Sequence, residues 1–221
     1  MTVKVVDVET TGKNCEEHEV VEIGAIDLDT GKEYHSFVSP SDAIPAEAMS
    51  VHHITDEDVA EAPDWGSVYQ DVLGDDRIRV AHNAPFDAGF CGEDGSRWID
   101  TLRLAKHTYD LGLYNLQYLR YKLDLETGIK GGAHRALDDA KVCMALYKRL
   151  EEDTGLNTQE MLEKQKQPVW QSVCRWGKKY HGIAWDKVPS DYMKWALNKA
   201  DYLDEDARYN MQLRLKERGG V

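Results

Sequence analysis

Four acidic residues in three separated segments carry the chemistry of this sequence: Asp7 and Glu9 in VVDVETTG, Asp87 in HNAPFD, and Asp139 in HRALDDA, the last preceded by His134. Carboxylates brought together can hold a pair of divalent metal ions, and a histidine titrating near neutrality can serve beside them as a general base. That is the equipment for cutting a phosphodiester bond. Each residue also has a plainer reading. Asp7 and Glu9 stand two apart on an expected strand and so project from one face. Either that face is solvated, or two carboxylates inside a core repel each other until cations join them. Asp87 falls in the first turn after Pro85, where a carboxylate can simply stabilise a helix start. His134, taken alone, is a loop histidine. Asp139 precedes Cys143 by four residues, at the edge of an apolar helical stripe, so its carboxylate can face a sheet while Asp138 points to solvent.

The elements that position these residues follow from periodicity. Val3 to Val8 is a β-branched run and reads as a strand; Val20 to Leu28 and Tyr34 to Val38 continue it into an antiparallel meander of three. Residues 45–74 carry helical signals: Pro45 at a start, Thr55 to Asp58 as a capping cluster, and Asp64 before Trp65, Val68, Tyr69 and Val72. Arg77 to Ala81 reads as a fourth strand, Asn83-Ala84-Pro85 opens a helix over Phe86 to Cys91, and Trp98-Ile99 is a fifth strand. Leu102, Leu104 and Ala105 start a further helix, and Asn115 caps another carrying Leu116, Leu119 and Leu123. Ala136, Ala140, Cys143 and Tyr147 form the apolar stripe of a long helix ending near Glu152. Strands first, then strands alternating with helices, predict a mixed sheet flanked by helices.

The 221 residues suffice for one well-buried domain and a small appendage. We divide the chain into a domain over 1–153, a linker over 154–167 and a small basic module over 168–221. The module holds four of the six Trp residues, and its size predicts that most of them are buried. The net charge of −13 speaks against a polyanion partner until its distribution is read. Residues 1–159 hold 15 Lys and Arg against 31 Asp and Glu, a net of −16, whereas residues 160–221 hold 12 against 9, a net of +3. Metal cations can neutralise an acidic site, and a basic neighbour can supply the grip. Trp170, Trp176, Tyr180 and Trp185 interleave there with Arg175, Lys178, Lys179 and His181. Aromatics that stack on bases and cations that meet phosphates are the components of a nucleic-acid surface, and Arg175, Lys178 and Lys179 are its candidate grip. The N-terminus shows no signal-peptide pattern, and no apolar run approaches the length of a membrane span. Cys15, Cys91, Cys143 and Cys174 form no Cys-x-x-Cys pair. Free thiols in a cytoplasmic protein, away from membranes, are the expectation.

VVDVETTG, HNAPFD and HRALDDA, in that order, resemble the three motifs of the DnaQ-like (DEDDh) 3′→5′ exonucleases. VEIGAIDL resembles the second strand of that family and IPAEAMSVHHITDEDV its Pro…His-Gly-Ile-Thr segment, with His53 where the family commonly has Gly. The resemblance covers roughly residues 3–150. It implies an α/β, RNase H-like fold: a mixed five-stranded sheet, antiparallel meander plus parallel strands, flanked by helices. It also implies two divalent ions, Mg²⁺ or Mn²⁺ from the hard oxygen ligands. Asp7, Glu9 and Asp139 would hold the ion that activates water, Asp7 would bridge to the second, Asp87 would support that one, and His134 would be the base. Thr10, Thr11 and Gly12 would meet the 3′ end, with His52, Asn83 and Phe86 as further substrate contacts. Gly128, Gly131 and Gly132 suggest that His134 swings into place when a 3′ end binds. The stretch WGKKYHGIAWDKVPSDYMKWAL resembles the C-terminal module of exonuclease X-like proteins. The reading favours DNA as substrate. Its alternatives are an RNA exonuclease, a proofreading subunit bound to a polymerase or repair complex, and a nucleic-acid-binding protein without activity.

Overall fold

Val3–Thr10 becomes the middle strand of the sheet because both of its edges find partners. The computed structural model describes residues 2–129 and 134–219. In it β1 (Val3–Thr10) pairs antiparallel with β2 (Val20–Asp27), and β2 pairs antiparallel with β3 (Glu33–Phe37). On its other side β1 runs parallel to β4 (Ile78–Ala81), and β4 parallel to β5 (Trp98–Asp100). The five strands lie in the order β3-β2-β1-β4-β5, the expected meander extended by two parallel strands. Between β3 and β4 come α1 (Ala46–His52), α2 (Asp56–Val59) and α3 (Trp65–Leu73), and α4 (Ala84–Phe90) joins β4 to β5. Then follow α5 (Thr101–Thr108), α6 (Leu116–Lys122), α7 (Ala136–Thr154) and α8 (Thr158–Lys164). Expected caps are in place: Asp64 accepts from the Ser67 N–H and Asn115 from the Tyr118 N–H.

Two apolar layers sandwich the sheet. Val3 and Val5 of β1, with Ile26, Val80 and Ile99, pack against Ala140, Cys143, Leu146, Tyr147 and Leu150 of α7. Val6 and Val8, with Ile23 and Ala25, pack on the opposite face against Val68, Val72 and Leu73 of α3 and Ala84 and Ala88 of α4. Full burial of one such large side chain is worth roughly 1.5–3 kcal/mol. Because side chains alternate along a strand, Asp7 and Glu9 continue the row of Val3 and Val5. They therefore emerge under the N-terminal end of α7.

The segment read as a linker, 154–167, differs from that expectation. Asn157 accepts from the N–H groups of Gln159 and Glu160, α8 follows, and Met161 and Leu162 enter the core of the first domain. The side-chain amide of Gln165 also donates to the Trp98 carbonyl and accepts from the Asp100 N–H, so it continues the edge of β5. Beyond it, a 3-10 turn (Trp185–Lys187), α9 (Ser190–Lys199) and α10 (Glu205–Glu217) enclose a core of Cys174, Trp176, Trp185, Val188, Met193, Ala196, Met211 and Leu215. This module is tied to α5 by Arg103, which grips the Asp206 carboxylate with both Nη atoms at 2.5 and 2.9 Å and also donates to the carbonyls of Gln165 and Gln167. Only half of its tryptophans are buried, against expectation: Trp176 and Trp185 are inside, whereas Trp170 is 49% and Trp195 51% exposed. Two tryptophans, with the Met and Leu side chains, already fill so small a core. Among the described residues, no helix is long and apolar enough to cross a membrane.

Candidate active site

Gly24 of β2 lies directly opposite Asp7. A Cβ there would stand 2.2 Å from the Leu137 nitrogen and 2.3 Å from the Ala136 carbonyl carbon, so glycine is what lets the first turn of α7 rest on the sheet. That approach brings the buried Asp139 over the row of Asp7 and Glu9. Glu9, His134 and Asp139 offer ligand atoms that all lie within 4.8 Å of one another. Asp87 arrives from the other edge of β1. Since β4 pairs with β1 only over Val3–Val5, the Val8 N–H is left over, and Asp87 Oδ1 accepts it at 3.2 Å. The helix-start reading of Asp87 is thus incomplete, because its carboxylate reaches across to β1.

The electrostatics follow from this crowding. Burial pushes the Asp7 carboxyl well above its usual range, and Asp87, Glu9 and Asp139 push it further. Burial likewise raises Glu9 to about 8, with Asp139 and Glu22 adding to it and Arg135 opposing. Burial also raises Asp87 against the help of the Val8 N–H. Acids held this way are unstable as anions unless a cation joins them. The alternative of a solvated face for Asp7 and Glu9 does not describe a site with these shifts. An all-oxygen carboxylate set with one imidazole and no thiolate suits a hard divalent ion, so the residues present fit the metal site that the sequence suggests.

The side chains that hold this geometry were not among the sequence candidates. Glu22 sits opposite Glu9 on β2, fully buried. Burial alone would raise it, but hydrogen bonds from Arg135, the Ala136 N–H and His35 outweigh that and keep it below the ordinary value. Arg135 Nη2 and Nε donate to Glu22 Oε1 at 2.8 and 3.1 Å, and the Ala136 N–H donates to Oε2 at 3.0 Å. Glu22 thereby caps the first turn of α7 from a neighbouring strand, next to His134. An acid inside the otherwise apolar VEIGAI was the available signal. Asp139 is held from two sides: Oδ1 accepts from Gln117 Nε2 at 2.7 Å and Oδ2 from the His134 N–H at 2.8 Å. His134 has φ 71, a left-handed backbone that a non-glycine residue rarely keeps without such support. Gly131 and Gly132, invoked for a swing of His134, lie outside the described residues; Gly128 has φ 70.

A cleft of about 790 Å³ opens beside the carboxylates and gathers the six sequence-predicted contacts Thr10, Thr11, Gly12, His52, Asn83 and Phe86, with Glu9 and His18 among its other walls. His52 is buried, and burial lowers its pKa. Its Nδ1 accepts from the Ile54 N–H at 3.0 Å, while Nε2 has no partner among the described residues. His53, where glycine was the family habit, caps α1 at φ 60. The left-handed backbone explains that habit. The three candidate grip residues of the module separate. Lys178 and Lys179 are exposed, but Arg175 donates to the Leu111 carbonyl at 2.5 Å and lies 5.9 Å from the Tyr114 ring centre. As a free grip Arg175 is corrected by this arrangement, in which it pins the module to the first domain.

A family model described as exonuclease matches residues 5–147. Among curated proteins, Exodeoxyribonuclease 10 of Escherichia coli (strain K12) is 29% identical over 217 residues, covering 95% of this chain and 96% of that protein. DNA polymerase III subunit epsilon of Treponema pallidum (strain Nichols) is 34% identical over 158 residues, covering 64% of this chain and 72% of its own length. Among solved structures, Exonuclease X in complex with 5′ overhanging duplex DNA superposes with a TM-score of 0.66 at 29% identity, covering 74% of this chain and 99% of that one.

Proposed function

We propose, from the premise that the chain belongs to the exonuclease family, that it is a metal-dependent 3′→5′ exonuclease releasing nucleoside 5′-monophosphates from DNA. The observation that carries this reading is the meeting of Asp7, Glu9, Asp87 and Asp139 from three chain segments, with the His134 ring beside two of them. Asp7, Glu9, Asp87 and Asp139 would hold two divalent ions, Mg²⁺ or Mn²⁺, which when bound supply positive charge to the scissile phosphate and the leaving oxygen. His134 takes the proton of the attacking water; its place next to Asp139 and Glu9 suits that task. The hydrogen bond from its own N–H to Asp139 keeps it at the edge of the site. Thr10, Thr11 and Gly12 wall the cleft directly after Glu9, where the terminal nucleotide would sit, and the free Nε2 of His52 and the faces of Asn83 and Phe86 complete its seat.

Similarity to Exodeoxyribonuclease 10 runs through 95% of the chain, against 64% for the polymerase subunit, which favours a nuclease acting with its own C-terminal module. Four cysteines, all unpaired, suit a reducing compartment, and the cytoplasm is the proposed location. A 5′-labelled oligonucleotide tests direction and substrate together. Incubated with Mg²⁺ or Mn²⁺, DNA should shorten through a ladder to short labelled products, faster than RNA of the same sequence. Immediate release of the labelled 5′ nucleotide, or hydrolysis of RNA alone, would overturn the assignment.

A further inference from the structure

The module carries an aromatic array that begins in its own core and runs outward to solvent. Tyr192 of α9, half-buried against the module's core, is its centre: the ring centroid of Tyr180 lies 4.6 Å away, that of Trp195 5.7 Å and that of Trp176 6.2 Å. Tyr202 extends the array from Trp176 at 5.6 Å. Trp176 is buried beneath, but Trp195 is 51% and Tyr202 76% exposed, so rings of this array face solvent. Lys179 Nζ stands 5.2 Å from the Tyr180 ring centre and 5.8 Å from that of Tyr192. Gly177, at φ 67, would place any Cβ 3.3 Å from the Tyr192 hydroxyl, so the turn that carries Lys178 and Lys179 fits closely on the array.

We infer that this surface binds single-stranded DNA by stacking bases on Trp195 and Tyr202 while Lys178 and Lys179 meet the backbone phosphates. This inference rests on the nuclease reading above and names how the chain holds its substrate outside the catalytic cleft. Charge argues for a polyanion as occupant. From Trp176 to Tyr202 the chain carries Lys178, Lys179, Lys187, Lys194 and Lys199 against Asp186, Asp191 and Asp201, on a module whose attached domain is strongly acidic. Exposed rings with cations at their margin suit unpaired bases, whose faces are covered in a duplex but open in a single strand. The Arg103–Asp206 clasp and the Arg175 hydrogen bond to Leu111 fix the module against the catalytic domain, so a strand held on one is held near the other.

The test is fluorescence anisotropy of a fluorescein-labelled dT20 strand with the full chain in chelator, where no hydrolysis intervenes. Trp195→Ala with Tyr202→Ala should weaken binding by about thirtyfold or more, the effect of losing two stacked bases. Trp195→Phe with Tyr202→Phe should stay close to the parent protein, and Lys178→Gln with Lys179→Gln should flatten the salt dependence. Unchanged affinity in the alanine pair would overturn the inference and leave the rings to a protein partner. So would equal damage in the phenylalanine pair, which keeps a ring to stack on and loses only the indole N–H and the phenol O–H. A protein that binds dT20 through these rings but hydrolyses nothing would sink the nuclease reading alone, and an active nuclease indifferent to the ring variants would sink only this one.

Discussion

Around Asp7, carboxylates from β1, α4 and α7 converge with their pKa values driven upward. Elsewhere acids are matched: Asp206 grips Arg103, Asp204 caps α10 through the Ala207 N–H, and Asp75 meets Lys4 and Arg79. The same residue type is thus stabilising in one region and mutually destabilising in the other. What separates them is the available partner: side-chain cations and a helix N–H for the matched acids, and an external ion for the four carboxylates, where Arg135 opposes the shift of Glu9 without removing it. Unmatched acids crowded at the floor of a cleft are the mark of a site that pays stability for chemistry.

Substitutions can break this contrast or sharpen it. The largest effect is expected at His134: replacement by Ala should lower the hydrolysis rate by about 10²–10⁴ with folding unaltered, as for loss of a general base. A rate within a few-fold of the parent, in steady-state kinetics, would remove His134 from the chemistry. Next is Gly24→Ala, which drives a methyl into the backbone of Ala136 and Leu137. It should cost about 3 kcal/mol in urea melts and pull Asp139 away from Asp7, so stability and activity fall together.

A smaller effect follows from pH. Glu9 titrates near 8 in the fold against an ordinary value of 4.5, and Asp7 and Asp87 are raised with it. A raised carboxyl contributes its stability below its unfolded pKa and loses it as pH climbs through the folded one. In chelator, Tm should therefore fall on the order of 5 °C between pH 5 and pH 9, and Mn²⁺ should restore most at the alkaline end. A flat profile in calorimetry would show that the carboxylates do not crowd as described. The smallest effect belongs to the matched side of the contrast. Arg103→Ala should loosen the module by about 1.5 kcal/mol, read as faster amide exchange across α10 with exchange in β1 unchanged.

How much of this was legible in the sequence depends on the reach of each signal. Strand alternation is local, so the shared face of Asp7 and Glu9 could be read directly, as could the α7 stripe of Ala136, Ala140, Cys143 and Tyr147. The roles of Glu22 and Gly24 could not, because they depend on which strand lies opposite β1 and on how closely α7 crosses it. The segment 154–167 reads as polar, yet its few apolar residues, Met161 and Leu162, are the ones that anchor it. Arg175 has the composition of a phosphate contact; only its neighbour, the Leu111 carbonyl, gives it a structural task.

The sharpest single measurement is mononucleotide release from a 3′-labelled DNA strand by Asp7→Asn beside the parent protein, in Mg²⁺ and in chelator. Asp7 touches the three other carboxylates electrostatically, so removing its charge should abolish release in Mg²⁺ to the level the parent shows in chelator. Release by Asp7→Asn at the parent's rate, or release by the parent that persists in chelator, would contradict the assignment of the converged carboxylates as the catalytic metal site.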